Sequence, residues 1–325
     1  MSERARELAS TLRADGFVMV RGALPVDELD QARREVESLY AADLEERRAR
    51  GIAEAHHEGV AGHSILTAPT HLLLDLYAKS PALDRIAERI LTDPVSSAIL
   101  AELVGGDIKL RGFNCTRITG TYDPRPAAGP ASNPHQWHRD SYGEIGIGVF
   151  LTDFAEPNQG STAFLRGSHV YPYCPRQSCL FGPPYPGGNP IFLRLNPFNR
   201  MLARKVAAQA TGAYGRRGDF YIFINDTWHG REPNLARHAG LRVMIGAFAA
   251  EVPYPDDVAE LPQEVLSKLP PALRRAAPQP RAPVSARPKP ILDEMAAKQR
   301  DLASDALFRL ARWERRIADR LSRLA

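Results

Sequence analysis

The sequence predicts a mainly antiparallel β protein, a sandwich or barrel with helices packed outside it and one more helix at the C-terminal end. Three observations lead there. After Gly106 the chain changes from long helical stretches to short runs rich in β-branched and aromatic residues, separated by Gly, Pro and Asn clusters. No helices of crossover length alternate regularly with those runs, which argues against a doubly wound parallel sheet. With 325 residues, 44% hydrophobic and 25% charged, the chain can bury a sizeable core of the ordinary globular kind.

Taken in order, "ARELASTLRADG" reads as a helix ending on a glycine stop, "FVMVRGAL" as extended, and "PVDELDQARREVESLY" as a helix opened by proline and acids. Residues 41–105 read as mostly helical. Strands are expected in "DIKLRGFNCTRI", "IGIGVFLTDF", "STAFLRGSH", "GDFYIFIND" and "LRVMIGAFAAEV". The stretch from 170 to 205 is too long for an ordinary connection, and its Tyr171, Tyr173, Phe181, Tyr185, Phe192 and Phe198 suit a lid over a pocket. Residues 1–255 are expected to form one domain, helical over 1–105 and β over 106–255. Residues 256–290, with eight prolines from 262 onward, read as a linker, and 291–325 as a basic amphipathic helix.

Charge separates the body from the tail. Residues 261–325 hold 14 Lys/Arg against 7 Asp/Glu, so the remainder is mildly acidic although the whole chain is +4. The body therefore lacks a nucleic-acid-binding charge field. No apolar run reaches transmembrane length and the N-terminus lacks a signal-peptide core, so the expectation is a soluble, cytoplasmic protein with no integral membrane segment. Cys115, Cys174 and Cys179 form no CxxC pair, and their odd count suits reduced thiols.

The chemistry-bearing stretch is "NPHQWHRDSYGEIGIGVFLTDF", from Asn133. A non-haem Fe(II) centre takes two imidazoles and one carboxylate on one face of the metal, and a His-x-Asp pair in an extended segment projects two ligands to one side. His138 and Asp140 have that spacing, although such a pair alone is a weak signal in a chain with nine histidines. His229, in "GDFYIFINDTWHG", also follows an extended run, so a barrel can bring it to the same mouth. Arg242 opens the apolar strand "LRVMIGAF" and needs an anionic partner; its planar fork suits a carboxylate.

These segments, with "DGFVMVRGALPVDEL" and "NQGSTAFLRGSH", resemble the phytanoyl-CoA dioxygenase family of Fe(II)/2-oxoglutarate-dependent oxygenases over roughly residues 10–250. The resemblance implies a double-stranded β-helix, or jelly roll. It further implies that His138, Asp140 and His229 bind iron and that Arg242 holds the distal carboxylate of 2-oxoglutarate, with molecular oxygen as oxidant and ascorbate as an auxiliary reductant. Asn234 matches the family's usual Asn after the second His. Asn114, Thr116 and Arg117 are candidates for the C1 end of 2-oxoglutarate or for substrate. Two features depart from the family pattern: Arg242 lies two residues further from His229 than usual, leaving Arg237 as a rival, and Arg166 replaces a proline. A carboxylate at 140 points away from the family's halogenases, which carry Gly or Ala there, and toward hydroxylation or another oxidation of a small metabolite.

Blander readings apply elsewhere. His56 and Glu58 sit in a stretch that reads helical, where i and i+2 diverge, so they are expected to be solvated. His135 and His169 are expected to hydrogen-bond within their loops, and Trp137 to wall the pocket. The C-terminal helix suits packing or homo-oligomerisation. Two rivals remain at this point: a non-catalytic jelly roll docking a partner through that helix, and an oxygenase acting on a protein side chain or polysaccharide.

Overall fold

Two antiparallel sheets face each other in the computed structural model, which describes residues 1–52, 56–67, 70–105, 107–118, 120–121, 138–139, 143–171, 209–251, 258–279 and 288–303. The N-terminal part runs α1 (Glu3–Asp15), β1 (Phe17–Val20), α2 (Val26–Arg50), β2 (His56–Gly59), β3 (Gly62–Thr67), β4 (Thr70–Leu73), α3 (Pro81–Thr92) and α4 (Pro94–Val104). Then follow β5 (Ile108–Ile118), β6 (Ile145–Phe150), β7 (Thr162–Leu165), β8 (Ala210–Gly212), β9 (Phe220–Ile224), β10 (His229–Arg231) and β11 (Leu241–Ala249). Three helices close the described chain: α5 (Gln263–Lys268), α6 (Pro271–Ala276) and α7 (Pro290–Ala303). The large sheet has the order β1-β9-β6-β11-β5-β4-β3-β2 and the small one β10-β7-β8. All five strands expected from the sequence form.

Strand alternation divides the interior in two. Val18, Ile222, Ile147, Val243 and Cys115 point to one face of the large sheet and join the core shared with α1–α4. Phe17, Tyr221, Phe223 and Phe150 point to the other and pack against Phe164 of the small sheet. Side chains at Gly146 and Gly148 would collide with the rings of Phe223 and Tyr221, each 2.0 Å from where a Cβ would lie, so the aromatic neighbours on β9 require glycine on β6.

The sequence reading differs from the structure in two places. Residues 56–67 and 70–73 form the meander β2–β4 along the edge of the large sheet, not helix. Apolar alternation is hidden there because inward positions are polar: Ser64 and His71 are buried and bonded to Asp43 of α2. His56 and Glu58 thus lie on one strand, where they share a side, yet both are exposed and Glu58 pairs with His63 instead. The stretch expected as a linker contains α5 and α6, whose Leu266, Leu269, Leu273 and Ala276 are buried in the helix-side core. Pro270 and Pro271 start α6, a position that tolerates a missing N–H. The described part of the C-terminal helix, α7, likewise buries Ile291, Leu292 and Met295 in its own chain; residues 304–325 lie outside the described residues.

Asp43 ties the meander to the helical layer. Its carboxylate accepts from Arg47 Nε (2.7 Å), Ser64 Oγ (2.6 Å) and His71 Nε2 (2.7 Å). Burial alone would raise this carboxyl, but the three hydrogen bonds outweigh it and hold the group below the ordinary range. Removing the acid leaves Arg47 buried without its counter-ion. Asp43→Ala is expected to lose about 3–5 kcal/mol in urea unfolding; a loss under about 1 kcal/mol would show that the cluster contributes little.

Candidate metal centre and cosubstrate pocket

His138 and His229 are brought together by backbone pairing. Each donates its N–H to the other's carbonyl, at 2.8 and 3.0 Å, in an antiparallel bridge outside the regular strands. Residues directly opposite in such a pair place their side chains on one face; the two imidazole centroids are 4.4 Å apart at 52°. Both line a cavity of about 450 Å³ between the sheets. His229 is buried, and its Nδ1 donates to the Thr227 carbonyl at 2.8 Å. That bond leaves Nε2 as the nitrogen with a lone pair for a metal, the usual arrangement for a ligating histidine.

Arg139, between His138 and Asp140, donates to the carbonyls of Tyr171 (3.0 Å) and Ser168 (2.7 Å) and lies over the Trp228 ring. Asp140, Trp137 and His135 lie outside the described residues, as does 172–208, nearly all of the expected lid. Among the described residues no group of three His, Cys, Asp or Glu side chains forms a metal cluster.

Arg242 sits on β11 directly opposite Thr116 of β5 and Phe150 of β6, facing the cavity. Its Nη1 donates to Thr162 Oγ1, and Thr162 is bonded in turn to Tyr221 Oη at 2.7 Å. Its Nε is buried with no hydrogen-bond partner, and no acid pairs with it among the described residues. Such a guanidinium is a receptor for a carboxylate. Thr162 escaped the sequence reading because "QGSTAFLRGSH" does not show which residue faces inward; the register of β7 with β10 does.

Of the other candidates, Asn114 and Thr116 line the same cavity, while Arg117, Asn234, Arg237 and Arg166 lie outside it. Thr116 is buried beside Arg242, and Asn114, one step along β5, accepts from the Asp75 backbone N–H at 3.2 Å. Arg117 points to the helical face and lies over Tyr40. Asn234 is buried and bonds the Gly120 and His238 carbonyls, closing the turn before β11. Arg237 is exposed in that turn and does not line the cavity. Arg166 pairs with Asp15 and covers Phe17, fastening its loop to α1.

The family model for phytanoyl-CoA dioxygenase (PhyH) matches residues 12–240. The chain belongs to the phytanoyl-CoA dioxygenase family. It is therefore a member of the Fe(II)/2-oxoglutarate-dependent oxygenases, with their double-stranded β-helix. Among solved structures, HygX from Streptomyces hygroscopicus with nickel and 2-oxoglutarate bound is similar at 17% identity, over 75% of this chain and 87% of that one, with a TM-score of 0.47. The epimerase SnoN from nogalamycin biosynthesis is similar at 19% identity, over 80% and 90%, with a TM-score of 0.48. AviO1 from Streptomyces viridochromogenes Tue57 is similar at 17% identity, over 78% and 100%, also at 0.48. No curated protein matches the chain. Among the described residues no helix is long and apolar enough to cross a membrane.

In this family member the turn carrying His229 is held by α1. Gly16 caps α1 at φ 81°, and its carbonyl accepts from Ile224 N (2.9 Å) and Thr227 Oγ1 (3.0 Å). His169 is not bonded within its own loop as expected; its Nε2 reaches the Arg13 carbonyl of α1 at 3.1 Å. Burial pushes the His169 imidazole down to about 4 from an ordinary 6.5. It is thus neutral when folded, and the unfolded chain binds the extra proton between these values. Stability is full above pH 6.5 and falls as the pH drops toward 4, by up to about 3 kcal/mol from this group. His169→Gln is expected to remove that part of the acid limb in unfolding titrations; parallel curves for both proteins would contradict the assignment.

Proposed function

We propose that the protein is a Fe(II)- and 2-oxoglutarate-dependent dioxygenase that hydroxylates a small molecule, with His138, Asp140 and His229 holding the iron and Arg242 the distal carboxylate of 2-oxoglutarate. The supporting observation is the pairing of two imidazoles from separate segments, with His229 Nδ1 committed to the Thr227 carbonyl, on a cavity whose far end holds a buried arginine with no acidic partner among the described residues. Asp140 enters by spacing. Alternate residues of an extended segment project to one side, which is what the His138-x-Asp140 spacing supplies.

When bound, iron and 2-oxoglutarate supply an oxidant able to attack a C–H bond. The chain's own residues bind and orient. His138, His229 and Asp140 would hold the metal, a donor set of two imidazoles and one carboxylate that suits Fe(II). Arg242, steadied by Thr162 and Tyr221, fixes how deep the cosubstrate sits. Phe223 and Phe164, within 5.0 and 6.1 Å of the His229 ring, keep water from that side of the site.

Succinate release with Fe(II) and 2-oxoglutarate tests the reading, alongside iron content and the visible band of a 2-oxoglutarate–iron chelate. His138→Ala is expected to lose iron and turnover together. Arg242→Ala is expected to keep iron but raise the KM for 2-oxoglutarate at least ~30-fold, since truncating one partner of a buried charge pair costs about 2–5 kcal/mol. Succinate traces identical in wild type and His138→Ala would refute it.

A further inference from the structure

The register of the large sheet sets three glycines side by side. Gly246 of β11 lies opposite Gly112 of β5 and Gly146 of β6, four residues along β11 from Arg242 and so roughly 14 Å away. All three line the cavity. Phe223, opposite Gly146, carries the His229 ring at 5.0 Å, so this bare floor lies at the histidine end rather than the arginine end.

Two polar groups stand at the edge of the floor, on the side away from Arg242. Glu144, two residues before Gly146, is 5% exposed and pairs with Arg111 at 2.7 Å. Asn225, two residues after Phe223, is 3% exposed, and its side-chain Oδ1 is buried with no hydrogen-bond partner. Its backbone N–H donates to the Glu144 carbonyl at 2.8 Å, which fixes the two residues together. Both line the cavity. The Asn225 backbone N–H is engaged within the fold, whereas its side-chain oxygen is left without a partner.

We propose that Asn225, at the edge of the Gly112–Gly246–Gly146 floor, anchors a hydroxyl group of the primary substrate, and that the substrate is a neutral, hydroxyl-bearing small molecule. This rests on the oxygenase reading above. An acyl chain placed here would seal off an unsatisfied amide, at a penalty that a hydroxyl avoids. Glu144 is committed to Arg111, so recognition at this edge falls to the neutral Asn225 amide. A hydroxyl both donates and accepts, and fills the amide's vacancy whichever way the amide is turned. The Phe223 ring covers Gly146 and the Glu144 carboxylate covers Gly246, so the open part of the floor is at Gly112, where only the Asn114 amide comes close.

The test is ligand-observed NMR on the full chain, using methyl α-D-glucopyranoside as hydroxyl probe and hexanoate as acyl probe. It needs no turnover. The glucopyranoside is expected to bind saturably and hexanoate more weakly. Asn225→Ala is expected to weaken the glucopyranoside about tenfold. Gly112→Ala, whose added methyl would meet only the Asn114 amide at 3.2 Å, should weaken it several-fold in a chain with unchanged thermal unfolding. Equal or tighter binding of hexanoate, an Asn225→Ala affinity equal to wild type, or no glucopyranoside binding at all would each overturn the proposal. Failure of iron and 2-oxoglutarate to bind, with glucopyranoside binding intact, would instead count against the oxygenase reading alone.

Discussion

The site depends on one constraint: the turn from Ile224 to His229 is not free to move. Ile224 N donates to Gly16 O, Asn225 N to Glu144 O, Trp228 N to Ser168 Oγ, and His229 N to His138 O. Thr227 Oγ1 returns to Gly16 O, and the Asp226 carboxylate accepts from Gly143 N at 2.9 Å. A turn so fully hydrogen-bonded has little conformational freedom left to lose when a ligand binds, and a metal site needs its donors held within a fraction of an ångström. The bonds come from the end of α1, the approach to β6, the loop after β7 and the His138 segment, so four separate parts of the fold set the position of one imidazole.

The two ends of the cavity are specified by different physics. At the Arg242 end the guanidinium is held by a hydroxyl pair, Thr162 and Tyr221, and its charge lacks a protein counter-ion among the described residues. A strong, charge-specific demand of that kind selects one anion. At the histidine end Glu144 is committed to Arg111 and the Asn225 amide is left open, so shape and neutral hydrogen bonding carry more of the selection. Under the proposed function, a cosubstrate common to a family would sit at the first end and a variable substrate at the second, because charge recognition tolerates little change.

Much of the architecture was legible before any coordinates. Five strands from "DIKLRGFNCTRI" to "LRVMIGAFAAEV" were readable from β-branched and aromatic residues set between turn-forming clusters, and those residues fill the two cores. The meander β2–β4 was not, since Asp43 pays for buried Ser64 and His71 through a helix distant in sequence, and no local pattern records that debt. Helices α5 and α6 were hidden by their prolines, which mark helix starts as well as linkers. In the site, His138, His229 and Arg242 stood out by spacing and residue type. Thr162, Asn225 and Glu144 did not, because their importance comes from cross-strand register: each is an ordinary polar residue until β7, β9 and β6 are aligned with their neighbours.

The C-terminal helix shows what charge alone leaves out. Its sequence suited packing or homo-oligomerisation, and in its described part α7 turns apolar residues into the helical layer and buries Gln299 against the loop after β7 and the turn before His229. Gln299 Nε2 donates to the His169 carbonyl at 2.6 Å and reaches Asp226 Oδ1 at 3.4 Å. Burial raises the Asp226 carboxyl, and the Gln299 and Gly143 donors work against that shift. One neutral side chain from the far end of the chain thus meets both the loop that packs on α1 and the residue three before His229. Charge composition reports on the solvent-facing side of such a helix; its apolar positions and its single buried amide determine where it binds, and here they bind it to the ligand-bearing turn.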